Sequence, residues 1–143
     1  MKSKSVASTD DLTTPLPLLH LPYATYRAFE YDSYDDIYTF KNIRFAAPST
    51  GHNRFSPPQR PKKMTKIQDG SVGWKCPQAV PIMFLVARPG LHGLEQSEDC
   101  LFLDITVPGH VVRSKDFKEK KLAVVHWLTG GGFGISRSEW TRR

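Results

Sequence analysis

The chain has 143 residues, a formal net charge of +6 and 39% hydrophobic residues. That length suffices for one domain with its own core, and the composition is that of a globular protein. No apolar run approaches the roughly 18 residues that a membrane-spanning helix needs. The basic start, MKSKSVASTDD, turns acidic before any apolar stretch, so no signal peptide is evident.

Basic residues concentrate in three segments, 60–66, 113–121 and the terminal pair Arg142–Arg143. Nucleic-acid binding would require a basic face with interleaved aromatic residues or a recognisable module, and the sequence has neither. We therefore expect solvated basic loops and no nucleic-acid partner. We also expect no metal and no other cofactor, because the histidines lack the spacing of metal ligands. They are His20, His52, His92, His110 and His126.

The first strand signal in the chain begins at Tyr26. Residues 1–25 start polar and then contain three prolines, so we expect a flexible leader there. Aromatic and β-branched residues then dominate 26–31 and 37–45, and the intervening Asp32–Asp36 stretch has turn chemistry. This pattern predicts a β-hairpin or a small meander.

A long proline-rich segment, residues 46–61, follows without helical or strand periodicity. Loops of this length in a compact domain are usually pinned by side chains or carry function. We expect Phe55 and Trp74 to be its apolar anchors. The short apolar patch Ile82–Val86 is too short to assign to helix or strand.

Two later stretches, Leu101–Val107 and Leu122–Leu128, are nearly continuous in apolar residues. Such runs are typical of strands buried on both faces, and we predict both as strands. The second run leads directly into the glycine loop Gly130–Gly134. A buried strand that ends in glycines can bring bare backbone N–H groups up to a substrate.

The two cysteines, Cys76 and Cys100, are either free thiols or one disulfide. The chain has no other cysteine and few histidines lie near these two, which argues against a zinc site. A disulfide would close a loop of about 25 residues and stabilise the fold by roughly 3.5 kcal/mol on the chain-entropy model. We favour the disulfide, and with it an oxidising compartment.

Four ordered motifs resemble the type-B carboxylesterase family, the cholinesterase-like branch of the α/β-hydrolases. SEDCLFLDITVP, at 97–108, is similar to the signature of that family, and residues 40–58, Cys76–Gln78 and Trp127–Phe133 resemble further motifs. The resemblance implies an α/β fold. This chain would supply the N-terminal portion of the α/β-hydrolase fold, as mostly β-strands and irregular loops. It also implies three regions: a leader at 1–25, the N-terminal part of the family domain at 26–136, and an unmatched basic tail at 137–143.

The resemblance assigns roles to six residues. Gly131 and Gly132 would present two N–H donors of an oxyanion hole, and Cys76 would pair with Cys100 in the first disulfide of the family. Arg54 and Glu98 would form a structural ion pair that ties the proline-rich loop to the strand at 101–107. Without the resemblance, Arg54 and Glu98 are two unconnected surface charges.

The sequence also departs from the family pattern. Thr129 occupies the position where the family has a histidine or an aromatic residue, and His126 is three residues too early to replace it, so we interpret it as a strand histidine. No G-x-S-x-G nucleophile motif occurs in the chain. We therefore expect a carboxylic ester hydrolase lineage, truncated before the catalytic triad and inactive as an isolated polypeptide.

Several alternatives follow from the same residues. The chain is a serine-esterase or lipase-type segment whose intact relatives act on small-molecule esters, or a non-catalytic cholinesterase-like module that binds protein. A further alternative is that this sequence is an incomplete gene model. The family resemblance and the expected disulfide favour a secreted protein, although no signal peptide supports that localisation.

Overall fold

The structure, a computed structural model, describes residues 16–78, 96–114 and 122–128. The described residues form two small antiparallel sheets, of order β1-β2 and β3-β4-β5. Within these segments no helix combines the length and apolar character that crossing a bilayer requires. In chain order the elements are β1 (Leu18–Leu21), β2 (Ala24–Arg27), β3 (Glu30–Asp32), β4 (Ile37–Arg44), a 3-10 turn (Gly51–Asn53), β5 (Phe102–Pro108) and α1 (Gly109–Val112).

The first sheet is a hairpin within the segment that the sequence assigned to a flexible leader. β1 pairs antiparallel with β2, with Leu18 opposite Arg27 and Leu21 opposite Ala24. The prediction of a leader that extends to residue 25 is therefore wrong for this hairpin. Leu19 and Leu21 pack against the core, and their burial compensates for the ordering of a short strand.

The predicted hairpin is confirmed, with one correction at its first strand. β3 pairs with β4, and Asp32 lies opposite Ile37. The side chain of Asp32 organises the turn, because its Oδ1 accepts hydrogen bonds from the N–H groups of Tyr34 at 2.9 Å and Asp35 at 3.3 Å. The stretch predicted as one strand at 26–31 is divided, since β2 ends at Arg27 in one sheet and β3 begins at Glu30 in the other.

β5 confirms the predicted strand at 101–107, but not its burial on both faces. It pairs antiparallel with β4, and its residues alternate between half-buried and exposed. Leu103, Ile105 and Val107 face the core, whereas Asp104 and Thr106 are exposed. A strand of an antiparallel sheet with one face packed on the core has this pattern.

The segment Leu122–Leu128 does not form the predicted buried strand. It has no strand or helix assignment, and all seven residues are exposed, Val125 by 89%. An apolar run becomes a buried strand only when neighbours pair with its backbone and cover its side chains. No described strand pairs with this segment.

A β-bulge in β4 fixes how its side chains face the core. Tyr38 and Phe40 are buried, and the next buried residue is Ile43, three positions on rather than two. Asn42, the residue before Ile43, has a φ of +53°, which asparagine tolerates better than most residues. Its N–H donates to Asp104 Oδ1 at 2.9 Å, and its Nδ2 donates to Gly70 O at 2.6 Å.

The core lies where β2 and β4 meet, and it consists mainly of small and aromatic side chains. Tyr38, a member of this core, stacks on the half-buried Tyr31 with ring centroids 4.5 Å apart. Leucine, isoleucine and valine side chains from β1 and β5 pack on its margin. The buried residues of this cluster are Ala24, Tyr26, Ala28, Tyr38, Phe40 and Ile43.

A carboxylate at the β3–β4 turn ties that turn to α1. Arg113 Nη2 donates to both carboxylate oxygens of Asp36, at 2.7 and 2.8 Å, and the Tyr31 hydroxyl donates to Oδ1 at 2.9 Å. Both hydrogen bonds lower the pKa of Asp36, and the bond from the Arg113 guanidinium has a larger effect than the bond from the Tyr31 hydroxyl. Gly109 lies so close that a side chain there would overlap the Asp36 carboxylate.

We expect the stability cost of a substitution at Asn42 to depend on whether the new residue tolerates a positive φ. Asn42→Ala should lower the free energy of unfolding by about 2 kcal/mol, because alanine is strained at positive φ and the bond to Gly70 is lost. Asn42→Gly loses the bond without the strain and should cost about 1 kcal/mol. Urea denaturation measures both values. Thr106→Ala, an exposed β5 change, is the control at about 0.5 kcal/mol or less. Equal losses for alanine and glycine would contradict this account.

The lowered pKa of Asp36 predicts a specific acid sensitivity. Its ion pair contributes stability that is complete above the unfolded-state pKa of about 3.8 and is lost as the pH falls through the lower folded-state pKa. Asp36→Asn should therefore melt at a lower temperature at pH 7 and depend less on pH between 5 and 2 than the parent chain. Circular-dichroism melts across that range measure the effect. Arg113→Gln should behave alike, and an unchanged pH profile in both variants would disprove the assignment.

Candidate functional site

The two glycines assigned to the oxyanion hole lie outside the described residues. Gly131, Gly132 and Thr129 directly follow the described segment that ends at Leu128. Their roles therefore stay predictions from the sequence. The described part of the candidate site is the framework that precedes this loop in the chain.

A disulfide joins Cys76 to Cys100, with an S–S distance of 2.03 Å and a Cα–Cα distance of 5.0 Å. This confirms the bridged alternative, and neither cysteine is a free thiol. Backbone contacts reinforce the bridge, since Ser97 N donates to Lys75 O at 2.9 Å. The disulfide therefore fixes the end of the 75–78 segment beside the start of β5.

The structure brings Arg54 and Glu98 together, with Arg54 Nη2 2.8 Å from Glu98 Oε1. The two side chains are 51% and 40% exposed, so water screens their attraction. A second bond joins the same segments, because the Ser49 hydroxyl donates to Glu98 O at 2.7 Å. The pair thus bridges the proline-rich loop and the chain just before β5, and an exposed pair of this kind contributes at most about 1 kcal/mol.

The expectation that Phe55 and Trp74 anchor the proline-rich loop is wrong. Phe55 is 98% exposed and Trp74 is also exposed. Polar contacts hold the loop instead: Ala47 N donates to Gln59 O at 2.9 Å, and Asn53 Nδ2 donates to Pro48 O at 3.2 Å. Proline and polar side chains limit the conformations of this loop without burying an aromatic residue.

A small open hollow of about 230 Å³ lies beside the disulfide. Its described lining includes no histidine, and its one hydroxyl, that of Ser49, already donates to a main-chain carbonyl. Its two charged residues are the ion-paired Arg54 and Glu98. The hollow therefore lacks the adjacent nucleophile and base that covalent catalysis needs. It is lined by Ser49, Arg54, Phe55, Pro77, Glu98 and Cys100.

Arg44 forms an ion pair with Asp99 that sequence reasoning missed. The contact is bidentate, with Nη1–Oδ1 and Nη2–Oδ2 distances of 2.5 and 2.9 Å. The two side chains are only 15% and 25% exposed. The guanidinium also lies over the Phe102 ring, 4.3 Å from its centroid. Arginine suits such a site because its planar fork matches a carboxylate and its face stacks on an aromatic ring.

The main chain of Arg44 is held by two tyrosines from the first hairpin. Arg44 N donates to the Tyr26 hydroxyl at 3.1 Å, and the Tyr23 hydroxyl donates to Arg44 O at 2.5 Å. Burial of the Tyr23 hydroxyl raises its pKa, and the neighbouring Tyr26 raises that pKa by a smaller amount. The hydroxyl therefore keeps its proton and acts as a hydrogen-bond donor. Arg44 therefore connects the two sheets and the approach to β5 at one point.

The described histidines have structural or surface positions. His20 Nδ1 lies 3.2 Å from Thr25 Oγ1, its partner across the β1–β2 hairpin. His126 is exposed in the segment without strand pairing, so its interpretation as a strand histidine is wrong. Among the described residues no group of three or more His, Cys, Asp or Glu side chains is placed to hold a metal ion.

One signal for the missed ion pair was present in the sequence. Glu98 and Asp99 are consecutive carboxylates, and of two earlier arginines Arg44 precedes the proline-rich loop and Arg54 lies within it. The side chains of consecutive residues in an extended chain point to opposite sides. The same geometry lets each carboxylate pair with a different arginine, and that is the arrangement observed.

Comparison with known proteins gives a family match over most of the chain. A model of the carboxylesterase family matches residues 18–142, a range wider at both ends than the predicted domain at 26–136. The carboxylesterase patB of Aspergillus clavatus is 32% identical over 127 aligned positions, and the match covers 67% of this chain and 23% of the relative. The pyrethroid hydrolase Ces2e of Rattus norvegicus is 32% identical over 112 aligned positions, and the match covers 71% of this chain and 18% of the relative.

Solved structures give the same result for the fold. A PNB esterase is 26% identical with a TM-score of 0.54, and the match covers 67% of this chain and 19% of the esterase. The EstA of Aspergillus niger is 26% identical with a TM-score of 0.52, over 66% of this chain and 17% of EstA. These esterases have the α/β-hydrolase fold, which confirms the predicted fold class. The chain spans less than a quarter of the length of each of these four proteins.

The two arginine–carboxylate pairs should differ in their contribution to stability. Arg44→Lys loses the bidentate contact and the stacking on Phe102 in a half-buried site, so we expect the free energy of unfolding to fall by about 2 kcal/mol. Arg54→Lys is the matched control at an exposed pair and should cost less than about 1 kcal/mol. Urea denaturation of both variants measures the difference. The reverse order would show that burial does not set the strength of these pairs.

Proposed function

This chain belongs to the carboxylesterase family, and from that premise we propose that its protein hydrolyses carboxylic esters of small molecules. The observation that carries the proposal is the match over residues 18–142. In such a hydrolysis, a serine activated by histidine attacks the ester carbonyl and forms a tetrahedral oxyanion. The printed chain has no G-x-S-x-G motif for that serine.

The part of the reaction that this chain would supply is oxyanion stabilisation. Gly131 and Gly132 would donate two backbone N–H groups to the oxyanion, and their lack of Cβ atoms would let the backbone approach it. Each such donor stabilises a transition state by about 3–4 kcal/mol. Thr129, before these glycines, is smaller than the family's histidine or aromatic residue and would leave more room at the mouth of the loop.

The described framework supports this role by positioning the strand that leads towards the loop. The disulfide and the Arg44–Asp99 pair hold the residues directly before β5. β5 is in turn paired along its length with β4. After β5 the chain runs through α1 and continues in sequence to Leu122–Leu128 and the glycines. An oxyanion hole tolerates little displacement, because its donors must lie about 3 Å from the oxyanion.

The substrate class rests on what the relatives' names have in common. Pyrethroid hydrolase, cocaine esterase and secreted lipase are named for different molecules, and the family model that this chain matches is that of the carboxylesterases. We therefore propose an ester of a small molecule and assign no particular acid or alcohol. No nucleic-acid partner is part of this proposal.

A second candidate function is that of a non-catalytic protein-binding module. The observation that favours it is the exposed apolar segment Leu122–Leu128, together with the fully exposed Phe55. Exposed apolar side chains of this number often mark interaction surfaces. Both candidates share the same fold, and the assay below separates them.

The isolated polypeptide and a chimera should differ in esterase activity. We expect the 143-residue chain alone to leave p-nitrophenyl acetate unhydrolysed, because it contains no nucleophile motif. A chimera in which residues 18–142 replace the matching segment of a PNB esterase should hydrolyse this ester. The rate of p-nitrophenolate release measures both.

The control is the same chimera with Gly132→Val. Its kcat should fall about 100- to 1,000-fold if the glycine N–H is an oxyanion donor. A chimera that melts cooperatively but is inactive would contradict the ester-hydrolase proposal and favour the binding module. Hydrolysis by the isolated chain that Gly132→Val abolishes would contradict the expected inactivity.

A further inference from the structure

Residues 60–66 form a basic segment with four positive charges and no acidic residue. All four basic side chains are exposed. None of them forms an ion pair with a described residue, whereas the four ion pairs in the described part of the chain involve Lys41, Arg44, Arg54 and Arg113. The four basic residues of the segment are Arg60, Lys62, Lys63 and Lys66.

The backbone around the basic segment is fixed to the first hairpin. Met64 N donates to Tyr23 O at 2.7 Å, and two residues beyond the segment Gln68 N donates to Thr25 O at 2.8 Å. Met64 also packs against the core, and Pro61 is half-buried. The segment is therefore anchored by its uncharged residues while its charged side chains stay in water. A fixed backbone lowers the conformational entropy lost when a ligand binds.

The surroundings of the segment leave its positive charge largely uncompensated. Arg27, exposed at the end of β2, is hydrogen-bonded to Gln68 through its backbone N–H at 2.7 Å and adds a fifth cation nearby. The nearest acid in sequence is Asp69. Its carboxylate accepts bonds from Ser71 N at 2.9 Å and Ser71 Oγ at 2.5 Å, and these bonds lower its pKa. Residues 60–69 thus contain four basic residues and one acidic residue.

The shape of this surface favours a linear polyanion over a small anion. Seven residues extend over at most about 25 Å, and charges spread along such a length suit a polymer. The hollow beside the disulfide and a smaller one at the proline-rich loop are both lined by residues outside this segment. Residues 60–66 also contain no aromatic side chain on which an unpaired base could stack.

We propose that the basic segment 60–66, with Arg27, binds a sulfated or carboxylated polysaccharide. The Cys76–Cys100 disulfide supports this choice of polyanion, because disulfides persist in oxidising compartments, where acidic polysaccharides rather than nucleic acids are the abundant linear polyanions. Binding would be electrostatic and would release counterions, so it would weaken steeply as salt rises. This site is independent of the proposed ester hydrolysis and would attach the protein to an acidic matrix.

The test compares two variants of equal net charge on heparin. One is Lys62→Gln/Lys63→Gln/Lys66→Gln, in the basic segment. The other is Lys118→Gln/Lys120→Gln/Lys121→Gln, in the second basic stretch of the sequence. Titration of the full 143-residue chain with heparin at several salt concentrations gives Kd and its salt dependence. Circular dichroism checks that each variant keeps its fold.

We expect the 62/63/66 variant to raise Kd at least about ten-fold at 0.1 M salt and to flatten the log–log salt slope by about one unit per lysine. The 118/120/121 variant should stay within about two-fold of the parent, and Lys62→Arg/Lys63→Arg/Lys66→Arg should retain binding because it retains charge. Equal losses in the two glutamine variants would overturn the proposal by showing a general charge effect. Tighter binding to duplex DNA than to heparin, or binding only to phosphatidylserine vesicles, would also overturn it.

Discussion

The described structure depends most on the environment of Arg44. Its guanidinium is held by both carboxylate oxygens of Asp99 and by the face of Phe102, while Tyr23 and Tyr26 bind its main chain. Removing a charge from water is costly, and the cost is offset only when the partner geometry is good and the remaining donors are satisfied. A bidentate contact supplies that geometry. The hairpin β1–β2, the strand β4 and the approach to β5 therefore meet at one residue.

The three residues before Leu101 extend this constraint to the proline-rich loop. Glu98 pairs with Arg54, Asp99 with Arg44, and Cys100 with Cys76, so consecutive residues attach to three separate parts of the chain. Each bond restricts a different direction of movement, and together they determine where β5 begins. Because β5 follows at Phe102, its register against β4 is already constrained when the strand starts.

Local chemistry explains which features could be predicted from the sequence. The hairpin at Asp32 was predictable because turn residues and β-branched residues act locally, and the disulfide was predictable because cysteines have few alternatives. The alternation of β5 and the exposure of Leu122–Leu128 were not, because burial depends on which neighbours cover a strand. β1 was also not predictable, because its leucines give no strand pattern in the sequence and the strand is stabilised by their packing against the core. The ion pair of Asp99 joins residues 55 positions apart, a distance at which composition gives no guidance.

The residues on either side of segment 79–95 are held together, and this affects how the protein can vary in length. These residues are joined by the disulfide, by Ser97 N to Lys75 O at 2.9 Å, and by Gln78 N to Gln96 Oε1 at 2.9 Å. Once the two ends of a loop are fixed, the entropy of closing it grows only with the logarithm of its length, by about 0.6 kcal/mol for each doubling. Insertions or deletions between these anchors would therefore leave the sheets in place. Evolution can therefore lengthen or shorten the chain between these anchors with little change in stability.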